Sequence, residues 1–165
     1  MVSNYPNSQI FDYKQMYDFP EKPKIITYPT DSLMDIINKK NDFTIFSHLI
    51  KKANYDNKLA SQQADFTIFI PSDILLRKKY SEYFLNSIDK GLATQIINNS
   101  IMNRKIDQKL LQSSPVGKYP TISRSNSVEI STINNETLIE QKVKIVFFNI
   151  AASNGIIHII SDFLM

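Results

Sequence analysis

Of the side chains that can carry a proton or grip a metal, this 165-residue chain holds two histidines, sixteen Asp and Glu, and no cysteine. Without a thiol, disulfides, thiolate metal sites and a cysteine nucleophile are excluded. His48 stands beside the apolar stripe of a helical segment, and His158 sits inside the run IIHII. One histidine on a helix and one on a strand, with no paired carboxylate cluster, make a poor metal site. No Gly-x-Ser-x-Gly elbow occurs, and three glycines can hardly build a phosphate-cradling loop. His158 therefore reads as a buried, hydrogen-bonded imidazole that fixes the core, with Asp73 a candidate partner. His48 reads as a surface or boundary residue. The chemistry points away from catalysis: no enzyme, no cofactor and no metal is expected.

The charges are as unspecialised. Nineteen basic and sixteen acidic residues leave a net charge of +3, too little to argue for nucleic acid. Lys39-Lys40, Lys51-Lys52 and Arg77-Lys78-Lys79 fall at helix ends or on exposed helix faces, where cations complement the helix dipole. No aromatic platform alternates with them, so single-strand binding is not expected. Asn98-Asn99-Ser100 and Asn135-Glu136-Thr137 fit the N-glycosylation pattern, the second in a turn. The opening MVSNYPNSQIFDYKQ has neither the basic start nor the apolar run of a secretion signal. No segment approaches the ~18 apolar residues of a bilayer span, so membrane insertion is not expected. Abundant Asn, Ile and Lys with little Gly or Trp is the bias an AT-rich genome imposes, such as that of a large DNA virus or a protist.

The elements that must position these residues are legible in outline. Residues 1–28, with Pro6, Pro20 and Pro23, tyrosines between them and Pro29 just beyond, read as an arm or extended lead-in. A single domain over 29–165 follows, its first helix capped by Thr30 or Asp31. The pentapeptide DFTIF then occurs twice, from Asp42 and from Asp65. After the first copy, Phe43, Phe46, Leu49, Ile50 and Ala53 recur at helical spacing, with Asp42 at the start. In the second, Phe66, Ile68 and Ile70 alternate with Thr67 and Phe69, a strand that Pro71 ends. Ser72 or Asp73 caps the helix DILLRKKY, whose Ile74, Leu75 and Leu76 enter the core. Two short helices broken at Gly91 follow, then a polar loop from 109 to 126. The last quarter reads as strands, with Asn134-Asn135 as one turn and Asn154-Gly155 as a type I′ hairpin. IIHII is a central strand covered on both faces. The fold class is α+β, helices packed on an antiparallel sheet or sandwich.

Two blocks, TIFIPSD (Thr67 to Asp73) and ASNGIIHII (Ala152 to Ile160), resemble the signature segments of the fasciclin domain family. The similarity covers roughly 31–165. It implies a wedge-shaped antiparallel β-sandwich with a helical layer built mainly by the first half of the chain. Thr67, Phe69, Pro71, Ser72, Asp73, Asn154, Gly155 and His158 are then its structural signature. The resemblance further implies a non-catalytic adhesion module, extracellular or on a virion surface. Its partner would be a protein or a glycan, with self-association also open. Contact positions carried over from the family fall on Asn98, Asn99, Phe148, Asn149 and Ile150. Where many members carry Tyr-His this chain has Asn98-Asn99, and Asn149-Ile150 replaces an Asp-Ile pair. An Asn lacks the carboxylate that a metal-dependent receptor would ligate. The alternative is a small-ligand or glycan pocket between sheet and helices.

Overall fold

The structure, a computed structural model, describes residues 25–63, 65–123 and 126–165. Most of the expected arm lies outside these residues. Its last part does not: Ile26–Thr27 forms β1, parallel to the long strand near the C-terminus, and Tyr28 is buried.

Helix α1 (Leu33–Lys39) starts one residue later than the sequence suggests. Ser32 is its N-cap, accepting from Asp35 N while Asp35 Oδ2 accepts from Ser32 N, a reciprocal capping box. Helix α2 (Thr44–Lys52) carries the first DFTIF, and its stripe Phe46, Leu49 and Ile50 is buried. Asn54, at φ 62°, stops it in the left-handed region that Asn tolerates. A short α3 (Asp56–Ala60) leads to β2 (Phe66–Pro71), which carries the second DFTIF.

Ser72 caps α4 (Asp73–Lys79) through a bond from Leu75 N. Leu75 and Leu76 enter the core as expected, but Ile74 is half exposed at 48%. The two helices that follow, α5 (Glu82–Ser87) and α6 (Lys90–Ser100), part at Ile88-Asp89 and not at Gly91. The reason is Asp89, whose carboxylate accepts from Leu92 N and makes it the N-cap, leaving Gly91 inside the first turn. After β3 (Ile101–Met102), the stretch expected to be a loop holds α7 (Gln108–Leu111), capped by Asp107, and the edge strand β4 (Val116–Pro120).

Strands β5 (Ser127–Ile133), β6 (Glu136–Ile139), β7 (Val143–Ala152) and β8 (Gly155–Ile160) complete the sheet, in the order β3-β2-β8-β7-β6-β5-β4. Asn134 and Asn135 both take positive φ, as a tight hairpin turn requires. The α+β class holds, with mixed pairing: β8 runs antiparallel to β7 but parallel to β2. The ten-residue β7 serves both halves of the sandwich, joining β8 on one side and β6 on the other.

Every residue of β2 and β8 is buried, because each is covered on both faces. Phe66, Ile68, Ile70, Ile157 and Ile159 meet the helices in one core. Phe69 and Ile160 face the other, among Met102, Ile130, Ile139 and Ile145.

The Asn-Gly corner differs from expectation. Ala152 pairs with Gly155, so Ser153 and Asn154 make the turn, and neither Asn154 nor Gly155 has positive φ. Gly155 is needed for closeness. A Cβ there would lie 2.2 Å from the Phe66 carbonyl oxygen and 2.7 Å from Leu33 Cδ1. Asn154 is needed as a staple: its Oδ1 accepts from Leu33 N, and its Nδ2 donates to the carbonyls of Leu59 and Ser61.

Candidate functional site

β7 carries a bulge at the centre of the molecule. Phe147 pairs with Ile159 and Ile150 with Ile157, so Phe148 and Asn149 together oppose the single residue His158. Asn149 takes φ 68°, which turns its backbone N–H onto His158 Nδ1 at 3.1 Å. Nδ1 therefore accepts, the proton is on Nε2, and Nε2 donates to the carbonyl of Ile106 at 2.7 Å. Burial first, against smaller opposing contributions from Ile106 and Asp107, lowers the His158 pKa to about 4. The ring is neutral across the physiological range. It lies between Phe69 and Phe148, each with its centroid 5.5 Å away.

Thr67 acts beside it. Its hydroxyl donates to the Arg104 carbonyl and accepts from Ile106 N, both at 2.7 Å. The side-chain oxygen of Asn149 accepts from Gln108 N as α7 begins. Three buried polar residues from three strands thus hold successive backbone groups of the segment 104–108. Outside these anchors, Asn103, Arg104 and Lys105 are exposed, as is Lys109. Among the described residues no ion pair is formed by Arg104 or Lys105.

The expected partner of His158, Asp73, is elsewhere. Its carboxylate caps α2, accepting from Thr44 N at 3.1 Å, Ile45 N at 2.9 Å and the Thr44 hydroxyl. Arg77 Nη1 stands 3.9 Å from it. Asp42, expected at the helix start, instead gives its backbone carbonyl to Asp73 N and leaves Oδ2 buried without a hydrogen bond. Burial, then the Asp73 charge, raises the Asp42 pKa to about 6, with Lys40 pulling the other way.

The predicted contact positions separate. Asn149 and Ile150 are buried, at 2% and 0% exposure, because the bulge turns them inward. Presentation to a partner, expected of both, is not available to them here. Phe148 is half-buried against His158. Asn98 accepts from the Tyr55 hydroxyl at 2.5 Å. Asn99 donates to the Leu164 carbonyl and accepts from Asn126. As glycosylation sites the two differ too. Asn98 is bonded on a helix above Ser100, which is fully buried, whereas Asn135 is exposed at its turn. Thr137 of that second triplet is nonetheless buried and bonded to Thr132. The tip 103–105 was not among the expected contact positions named above; its signal in the sequence is a run of three polar residues, Asn103, Arg104 and Lys105, between the apolar Met102 and Ile106.

A cleft of about 380 Å³ lies between α6 and the ends of β5 and β7, lined by Gln95, Asn99, Asn126, Glu140, Lys142 and Asp162. Asp162 accepts from the Tyr80 hydroxyl at 2.6 Å and pairs with Lys79. Burial and then Asp162 hold the Tyr80 phenol above its ordinary pKa. Among the described residues no three His, Asp or Glu gather as metal ligands, and no helix is long and apolar enough to cross a membrane.

A mixed sheet closed by a parallel β2–β8 pair, with Thr67, Asp73 and His158 spent on internal bonds, defines a structural module. The fasciclin domain profile matches residues 41–165, and the chain belongs to that family. Domains of this family are generally non-catalytic modules of adhesion and interaction. In three dimensions the chain is similar to a FAS1 domain pair from the insect cell adhesion molecule Fasciclin I, with a TM-score of 0.68 at 20% identity. The likeness covers 83% of this chain and 51% of that one, so this chain spans about half the length of the pair. At that identity the likeness is one of fold. No curated protein matches the sequence.

Proposed function

We propose that this domain is a non-catalytic adhesion module that docks, at a cell or virion surface, on an acidic protein or glycan through the tip 103–105 and the adjoining Phe148. The observation that carries this reading is the anchoring of 104–108 by Thr67, His158 and Asn149 beneath an exposed, basic tip. A loop fixed before it binds loses little conformational entropy on docking. Arg104 and Lys105 give it charge to steer an acidic partner, and Phe148 adds an aromatic contact at its border. The polar groups below are occupied in holding the backbone, which favours binding over chemistry. Asn98 and Asn99 are left out of this surface, since both side chains already have partners within the domain.

The test is a solid-phase binding assay over cells, sulfated glycans and neutral glycans with the double variant Arg104→Glu, Lys105→Glu. Binding is expected to weaken at least ~10-fold, as loss and reversal of interfacial charges do, while the melting temperature stays put. Equal binding by variant and parent would overturn the assignment of this surface.

A second reading, a small polar ligand or glycan in the cleft beside α6, draws on its volume and its amide and carboxylate lining. A compound that raises the melting temperature by several degrees, and fails to do so in Gln95→Ala, would support it.

A further inference from the structure

Asn154-Gly155 is the only Asn-Gly step in the chain. Such a step can modify itself. The Gly155 backbone nitrogen, giving its proton to water, bonds to Asn154 Cγ; the Cγ–Nδ2 bond breaks and ammonia leaves. Water then opens the resulting five-membered imide at either carbonyl. The product is aspartate, or isoaspartate with the main chain rerouted through the side chain. No electron is transferred and water is the sole co-reactant. Glycine favours the closure because no Cβ obstructs the attacking nitrogen.

In the fold, every atom this closure must move is held. Asn154 is 1% exposed, and its amide makes three bonds of 2.7–2.8 Å to Leu33, Leu59 and Ser61. Its main-chain carbonyl accepts from Phe66 N, and Ser153 N donates to Asp31. Gly155 is pressed against Phe66 and Leu33 so closely that a methyl would not fit. Bringing the nitrogen onto Cγ requires the amide to leave all three partners and the corner to leave β2.

From this geometry we infer that Asn154-Gly155 is a latent self-modification site, silent in the folded domain and armed when the β7–β8 corner opens. Its product then bars the way back. A carboxylate at 154 has no N–H to give the carbonyls of Leu59 and Ser61, and sets a negative charge beside two acceptor oxygens. Isoaspartate adds a backbone methylene to a two-residue turn, displacing the β8 register that Gly155 starts. Unfolding is thereby recorded covalently and made irreversible, so the lifetime of an exposed copy is set by chemistry within its own chain.

The experiment ages the full chain in mildly alkaline buffer, native in one arm and in urea in the other, followed by peptide mass mapping with isoaspartate detection. Asn86-Ser87, exposed on α5, serves as the internal reference. Modification at 154 is expected to be on the order of 100-fold slower in the native arm, the protection that local opening free energies of a few kcal/mol confer, while Asn86 changes far less between arms. On dilution from urea, the fraction failing to regain the native melting transition should be enriched in chains altered at 154. Equal rates at 154 in both arms would overturn the proposal. So would full refolding of altered chains.

Discussion

The two DFTIF copies share five residues and almost nothing else. In the first, Phe46 is buried on the apolar stripe of α2, Asp42 and Phe43 are buried just before it, and Thr44 at its start is exposed. In the second, a strand between two cores buries Phe66, Thr67, Ile68 and Phe69 and leaves Asp65 exposed. The buried polar group follows the same divide. Asp42 carries a carboxyl oxygen with no hydrogen bond, whereas Thr67, completely buried, uses its hydroxyl as donor and acceptor at once. Identical local sequence is therefore neutral between helix and strand, since propensities differ by only tenths of a kcal/mol per residue. The flanks decide: Asp73 reaches back to cap the first copy, and Pro71 ends the second.

The largest effect should come from breaking the strand copy at its tightest contact. Gly155→Ala places a methyl against the Phe66 carbonyl, and only separation of β2 from β8 relieves it. A loss of ~3 kcal/mol or more is expected, in the range of overpacked cores, read by urea denaturation. Wild-type stability would show that the two strands can part at no cost.

Next in size is the titration of the helix copy. The Asp42 pKa is raised in the fold to about 6 from its ordinary 3.8, so the folded chain binds the proton more tightly. Its contribution makes the domain more stable at pH 4 than at pH 7, and is lost as pH rises through about 6. Asp42→Asn should abolish that component, worth about 3 kcal/mol at most. His158 runs the other way. Its pKa is depressed to about 4, so its contribution is full above 6.5 and lost as pH falls toward 4. The two slopes oppose each other between pH 4 and 6 in the parent. Asp42→Asn should expose the acid sensitivity of His158, seen as melting temperatures that drop more steeply below pH 6 than those of the parent. Coincident pH profiles for variant and parent would show that the Asp42 carboxyl does not titrate differently on folding.

The smallest and most discriminating comparison is threonine against threonine. Thr67→Val removes a buried hydroxyl with two partners and should cost about 1–3 kcal/mol. Thr44→Val, at an exposed site where two backbone N–H groups still bond to Asp73, should cost under about 1 kcal/mol. Amide exchange would separate them further, with Ile106 exposed by the first change and untouched by the second.

Much of this arrangement was legible before any coordinate. The helical stripe after Asp42, the strand ending at Pro71, the Ser72 cap and the doubly buried IIHII all rest on local patterns that tertiary structure reinforces. What escaped was of two kinds. Short elements such as α7 and the edge strand β4, where Tyr119 alone is buried, give no period to read. Long-range polar bonds leave no trace in spacing: the cap from Asp73 to Thr44 spans twenty-nine residues. The Asn-Gly pair was visible but ambiguous, since glycine answers equally to positive φ and to close approach. Asn149 offered a clue in hindsight, an Asn inside a strand being a mark of a bulge. That bulge turns inward two residues expected at the surface.

His158 is a neutral structural bridge between Asn149 and Ile106. Nitrogen NMR of the imidazole, followed against pH on the intact domain, measures this directly. Such a bridge requires a fixed Nε2–H tautomer with no titration until pH approaches 4. An imidazole that titrates near the ordinary 6.5, or carries its proton on Nδ1, would contradict it.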